Sequence, residues 1–246
     1  MKRNGFTLVE LSIVLIIIGL LIAGVTSGKK LIQQAKIRKV ISEIKNLELA
    51  FKTFQTIYNS IPGDMKNASD FWGLNCEGAS SGNNTCDGDG DGLIELNNGT
   101  THGQQALEAY RSTYHMKKAE IISTNLANVH DYSASGTGGF NPGVDIPLSS
   151  IGGGTGYSIF TPQNITTIGI GAKVNNTWNY QASIVTVVAY TIDNKLDDGM
   201  PETGIVRQGV PGAGFIGNTN CMDASSPKKY KFSHAGVACG LFYMLK

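Results

Sequence analysis

FTLVELSIVLIIIGLLIAGV, residues 6–25, is a run of 20 residues with one ionisable side chain, Glu10. As a helix it is about 30 Å long, the thickness of a bilayer's hydrocarbon core. A cleaved secretory signal is one reading: Lys2 and Arg3 precede the run, and the small residues Ala23, Val25 and Ser27 close it. That reading leaves Glu10 unexplained, because a carboxylate at the bilayer centre costs about 2.5–3.5 kcal/mol on insertion scales. The second reading cuts the chain between Gly5 and Phe6. The run is then retained and starts on a new amine at Phe6, with Glu10 about one helical turn on. A Glu10 carboxylate beside the Phe6 amine of a neighbouring subunit gains about 4 kcal/mol at about 4 Å and an effective dielectric near 20. Only a staggered neighbour neutralises both charges, so Glu10 reads as a register device for self-assembly.

The apolar spacing continues beyond the run. Ile37, Val40, Ile41, Ile44, Leu47, Phe51, Phe54 and Tyr58 recur at three- and four-residue steps, which is one face of a helix. No Gly or Pro interrupts residues 29–58, and Pro62 and Gly63 end the pattern. One helix from Phe6 to about Tyr58 is expected, with a membrane span over 6–26 and a second half packed on a head of residues 59–246. A membrane anchor followed by a coiled-coil stalk is the plain alternative, and the face's drift from strict heptads weighs against it. Charge divides the same way. Residues 29–52 hold seven Lys/Arg and two acids, and residues 53–246 hold eleven Lys/Arg and sixteen acids. A basic stem and an acidic head result, and no nucleic-acid partner is expected. Lys29 and Lys30 lie beyond the run, Lys2 and Arg3 before it, so the positive-inside rule does not set the orientation.

At these residues the chain resembles a known family. GFTLVELSIVLIIIGLLIAG, with its short basic leader, is similar to the signal sequence of type IV prepilins and of the pseudopilins of type II secretion. The resemblance implies cleavage after Gly5 by a prepilin peptidase, with residues 1–5 as the leader, N-methylation of Phe6, and Glu10 as the assembly residue. It implies a pilin-like α+β fold, the long helix packed on an antiparallel sheet. It implies insertion in inner-membrane lipid with the head in the periplasm, then assembly with other subunits by an inner-membrane platform into a pilus or pseudopilus. The late proline of many pilins is missing, and Gly19 and Gly24 are expected to weaken the helix instead, each by about 1 kcal/mol relative to Ala. YNSIPGDMKNASDFWG (residues 58–73) and IDNKLDDGMPETG (residues 192–204) resemble segments of a subset of pilin-like proteins. In the first, Phe71 and Trp72 are expected to anchor the loop to the core.

CDGDGDGLIELNN, residues 86–98, carries Asp87, Asp89 and Asp91 in alternation and then Gly92. That is the first half of an EF-hand-type calcium loop, which needs hard oxygen donors at odd positions and a sharp turn at the glycine. Leu93 is expected to offer its backbone carbonyl, and Ile94 to face inward. The twelfth position is Asn98 where a bidentate Glu is usual, so Glu95 at the ninth is expected to supply a carboxylate. Ca2+ is the cofactor this pattern points to, with a merely solvated acidic loop as the alternative. Around Asp197 and Asp198 a helix is expected, capped by Ser183 and ended by Gly199. The Asp pair sits at the helix's negative end, where a turn with Asp side chains bonded to backbone is the plain reading and a cation the other.

Cys76, Cys86, Cys221 and Cys239 fit an oxidising compartment. Four cysteines allow three pairings; the sequential one is favoured because both intervening stretches are loop-like. Residues 101–122 read as a helix with Leu107, Tyr110, Tyr114 and Ile121 on its apolar side, and with His102 and His115 on the surface. GYSIFT, ITTIGIGAKV and VACGLFYML have strand character. No phosphate-binding loop and no nucleophile elbow stand out, so no enzyme is expected. The chain reads as a structural filament subunit; a membrane-anchored, calcium-dependent adhesin or binding module is the alternative.

Overall fold

The computed structural model describes residues 7–73, 86–95, 108–124, 126, 140–173, 181–210, 214–215 and 220–245. Leu8–Tyr58 is a single helix of 51 residues, α1. It runs through Gly19 and Gly24, where the chain places nothing within 4 Å of an added Cβ. It stops at Asn59, whose left-handed backbone (φ 48°) closes the last turn. Among the described residues the apolar side chains from Leu8 to Val25 are exposed. The second half buries Ile37, Val40, Ile44, Leu47, Ala50, Phe51 and Phe54, with Ile41 and Tyr58 half-buried at the stripe's edges. Each large apolar side chain buried this way contributes about 1.5–3 kcal/mol.

The stripe packs on an antiparallel sheet. β1 (Thr155–Phe160), β2 (Thr167–Ala172), β8 (Leu241–Met244) and β4 (Val206–Arg207) lie in the order β1-β2-β8-β4. Tyr157 pairs with Ile170, and Ile168 with Tyr243, so these residues share one face by the two-residue period of the pleat. That face meets α1. On the other face Phe160 and Phe242 meet edge to face, with ring centroids 5.9 Å apart. The architecture is α+β: a long apolar helix followed by a four-stranded antiparallel sheet, in a pilin-like arrangement.

Shorter elements complete the head: α2 (Ala68–Trp72), α3 (Glu108–Lys118), α4 (Thr186–Leu196), the pair β3 (Ile184–Val185) and β7 (Val237–Cys239), and the pair β5 (Gly209–Val210) and β6 (Gly214–Phe215). Two sequence expectations are corrected here. Ser183 does not cap α4. Its amide donates to the Cys239 carbonyl at 2.9 Å, because the chain is still pairing β3 with β7, and the helix begins at Thr186. His115 is not on the surface. Every residue of α3 from Glu108 to Met116 is buried, so the helix has no polar side.

Buried His115 cross-braces three segments. Its Nδ1 accepts from the Gly63 amide at 3.0 Å, which makes Nε2 the donor to the Cys86 carbonyl, also at 3.0 Å. Burial pushes its pKa down to about 3, so the ring stays neutral. It stacks on Phe54, with Trp72 beside it. Trp72 thus anchors its loop, while Phe71 stays more than half exposed against Tyr58. Cys221 and Cys239 form a disulfide with Cα atoms 5.1 Å apart. Cys86 is disulfide-bonded too; Cys76 lies outside the described residues.

Candidate functional site

The start of α1 is a capping box. Thr7 is extended (φ −77°, ψ 154°), and its hydroxyl accepts from the Glu10 amide at 3.2 Å. In return Glu10 Oε2 accepts from the Thr7 amide and from the Thr7 hydroxyl, both at 2.8 Å. Two backbone donors that the helix leaves open are satisfied, and the acid sits at the positive end of the helix dipole. The signature Thr-x-x-Glu before an apolar run was legible in the sequence and gives Glu10 a partner within its own chain. Gly5 and Phe6 lie outside the described residues.

α1 is tied to the head by two acids that apolar periodicity does not single out. Glu43 accepts from the Tyr157 hydroxyl at 2.7 Å, from the Ser150 amide at 3.1 Å and from the Ser150 hydroxyl. Glu48 accepts from the Tyr243 hydroxyl at 2.7 Å and pairs with Lys45 and Lys52, each at 3.0 Å. Against a burial cost, those three donors hold Glu48 down at about 2. Both tyrosines come from the sheet face that meets α1.

The acidic loop wraps around carboxylates from elsewhere in the chain. Asp64, in the Ile-Pro-Gly-Asp turn, accepts from the amides of Gly90 (2.5 Å), Asp91 (3.2 Å) and Gly92 (2.8 Å). Glu108, at the start of α3, accepts from the amides of Asp89 (3.1 Å) and Glu95 (3.4 Å). The loop's glycines serve this packing: a Cβ at Gly88 would lie 2.4 Å from the Asp64 Cα. Asp64, Asp89 and Asp91 bring carboxylate oxygens within 4.8 Å of one another, and so do Asp89, Glu95 and Glu108. Such groups are close enough to share one hard cation.

Burial pushes Asp64 up to about 6, against the pull of the Gly92 and Gly90 amides. Burial, with Glu95 beside it, pushes Glu108 up to about 9. Burial thus makes the charged form of each costly, and a bound cation draws both back towards carboxylates.

The ligand set therefore differs from the EF-hand spacing. Asp89 meets Asp91 and Asp64 in one group, and Glu95 and Glu108 in the other. Asp87 turns away: its carboxylate accepts from the Ser69 amide at 2.7 Å and the Ser69 hydroxyl at 2.8 Å, and its carbonyl accepts from Arg111 at 2.7 Å. Leu93 donates its amide to Asp91 at 2.8 Å. Ile94 is buried, and Asn98 lies outside the described residues. Asp64 and Glu108 were not foreseen, because nothing in the spacing of residues 86–98 points to acids 23 residues before Asp87 and 13 after Glu95.

A third group, Asp193, Asp197 and Asp198, also has oxygens within 4.8 Å of one another, but its hydrogen bonds hold a turn. Asp193 accepts from the Gly199 amide at 3.1 Å and from the Tyr230 hydroxyl at 2.8 Å. Asp197 accepts from the Ile205 amide and, at 3.2 Å, from the Val206 amide. Asp198 accepts from the Met200 amide at 2.8 Å and the Thr203 hydroxyl at 2.6 Å. Gly204 lets the chain pass, since a Cβ there would overlap Asp197 Oδ2.

No curated protein and no solved structure matches the chain. Residues 1–26 match the family described as the prokaryotic N-terminal methylation motif. That motif and the uncovered apolar helix behind it fit an inner-membrane-anchored pilin. The chain thus carries, at the head of a 51-residue helix, the N-terminal signal of type IV prepilins and pseudopilins.

Proposed function

We propose that this protein is a structural subunit, cut after Gly5, methylated on Phe6 and polymerised into a type IV pilus or a type II secretion pseudopilus. The observation that carries the reading is α1 itself. One continuous helix has a first half that nothing among the described residues covers and a second half bonded into the head. An uncovered apolar run must be covered by lipid or by copies of itself. On this reading residues 1–5 are a leader, residues 6–26 span the inner membrane before assembly, and residues 59–246 form a periplasmic head. Partners are the prepilin peptidase, the assembly platform and neighbouring subunits. The work is polymerisation and not catalysis.

In this reading Ca2+ serves the head as a brace. Held in the two groups that share Asp89, one with Asp64 and Asp91 and one with Glu95 and Glu108, it ties the turn after α1, the acidic loop and α3 into one unit. Calcium titration of the full-length protein in detergent, followed by calorimetry, tests this part. Those same carboxylates favour a second reading, a membrane-anchored, calcium-dependent binding module. The two are separated by crosslinking in membranes: filament subunits give ladders that depend on Glu10, whereas a binding module gives none and binds its ligand through the head alone.

A further inference from the structure

Between the apolar run and the head, α1 is a free rod. Residues 29–36 are all exposed, and the first buried residue on the helix is Ile37. This rod carries Lys29, Lys30 and Lys36, with Arg38 and Lys39 exposed just after it. Among the described residues the ion pairs on α1 are Lys45–Glu48 and Lys52–Glu48, and the five earlier cations stand outside them. Leu31 and Ile32, 67% and 61% exposed, lie directly after the lysine pair.

We propose that this basic collar binds the headgroups of anionic phospholipids while the subunit sits in the bilayer. The proposal rests on the reading of the apolar run as a retained span, and it names the lipid class that the span's edge recognises. Depth argues for it. Lys29 and Lys30 lie four and five residues past Val25, about 6–8 Å along the helix. The headgroup layer of one leaflet is about 5–7 Å thick, so both ammonium groups sit at phosphate level. Leu31 and Ile32 then rest at the same boundary, and the lysine stems lie along apolar surface with their heads in the polar layer.

Lys36, Arg38 and Lys39 are about 16–21 Å past Val25, beyond a Debye length of about 8 Å at physiological salt, so they add little. The other occupant for these charges is the acidic head of a neighbouring copy. Among the described residues four acids there are engaged at home: Glu202 with Lys228 at 2.7 Å, Asp223 with Ser225 and Lys229, and Asp197 and Asp198 with their own turn.

The test uses the processed full-length protein in phosphatidylcholine vesicles. Selectivity for spin-labelled phosphatidylglycerol over spin-labelled phosphatidylcholine is read by electron paramagnetic resonance. Each surface charge gives about fivefold in relative affinity, so the pair gives about 25-fold, and high salt reduces it. The Lys29→Gln/Lys30→Gln variant is expected to lose most of the selectivity, and the Lys36→Gln/Arg38→Gln/Lys39→Gln variant little. Equal selectivity in wild type and the Lys29/Lys30 variant overturns the proposal. So does unchanged selectivity with fewer crosslinked dimers, which gives the charges to subunit contacts. Carbonate extraction is done first. A wild-type protein that it strips from the vesicles sinks the membrane-span reading itself, a failure distinct from loss of lipid selectivity in an integral protein.

Discussion

The hydroxyl of Tyr157 on β1 donates to Glu43 on α1 at 2.7 Å across 114 residues of sequence. This bond and its counterpart from Tyr243 to Glu48 join the rod to the sheet. If α1 is pulled from one end during assembly, these are polar contacts that carry the load to the head.

Glu43→Ala is expected to destabilise the full-length protein by about 2–4 kcal/mol, because it strands both Ser150 donors and leaves the Tyr157 hydroxyl with Ser149 alone. Tyr157→Phe is expected to cost about 1 kcal/mol, because Glu43 keeps Ser150. Urea unfolding in detergent micelles reads both. An equal or reversed order would mean that the network does not hold α1 on the sheet.

Calcium binding distinguishes the observed ligand set from the EF-hand spacing. Asp64→Asn, Asp89→Asn and Glu108→Gln are each expected to weaken binding at least tenfold by calorimetry. Asp87→Asn is expected to leave it within about twofold and to loosen α2 instead. At a hundredfold excess over the dissociation constant, calcium should stabilise the wild type by about 2.7 kcal/mol. Loss of binding in Asp87→Asn with retention in Asp64→Asn would restore the spacing and remove the wrapped site.

The pH dependence follows from the same carboxyls. Folding raises Asp64 from 3.8 to about 6 and Glu108 from 4.5 to about 9. Each therefore favours the fold at low pH, and that contribution is lost as pH rises through the folded value. Without calcium, stability should fall between about pH 4 and 9, and with calcium the slope should flatten. The Asp64→Asn/Glu108→Gln variant should flatten it without calcium. Asp193, raised by burial to about 7, and His115, lowered by burial to about 3, act in opposite directions below neutrality and nearly cancel in every case. A profile indifferent to calcium and to that double variant would place the pH dependence elsewhere.

Legibility varied with the range of the physics. The face of α1 was readable because Ile37, Val40, Ile44, Leu47, Phe51 and Phe54 follow a 3.6-residue period with no breaker among them. β1, β2 and β8 showed through their apolar, β-branched and aromatic content. His115 and Glu108 were not readable. Polar residues on a short helix suggest a wet side, and only the fold reveals that α3 is covered all round. Glu43 and Glu48 looked like ordinary surface acids because their tyrosine partners are about two hundred residues away or half that. Asp64 and Glu108 were missed because a motif read along one loop is blind to ligands that other segments bring in.

The capping box alters what assembly asks of Glu10. Its carboxylate is already held by Thr7 at 2.8 Å, so on the proposed filament reading a neighbour's Phe6 amine would add to or replace those bonds. Thr7→Val keeps the shape and removes the hydroxyl. It is expected to leave processing at Gly5 intact while lowering α1 stability by about 1 kcal/mol, the usual cost of a lost cap. Circular dichroism of the reconstituted protein against temperature reads this, and an unchanged melting profile would show that the cap is not used in the membrane.

The central claim is that Glu10 sets the register of a polymer. Its most direct test is incorporation of Glu10→Gln subunits, co-expressed with wild type, into sheared filament, with cleavage after Gly5 confirmed by mass spectrometry. Gln keeps the shape and eases insertion, but it leaves a neighbour's amine buried without its partner, which costs about 3–5 kcal/mol. The account predicts processed, membrane-inserted Glu10→Gln that is depleted from filament by roughly two to three decades. Processed Glu10→Gln present in filament at the wild-type level would contradict it.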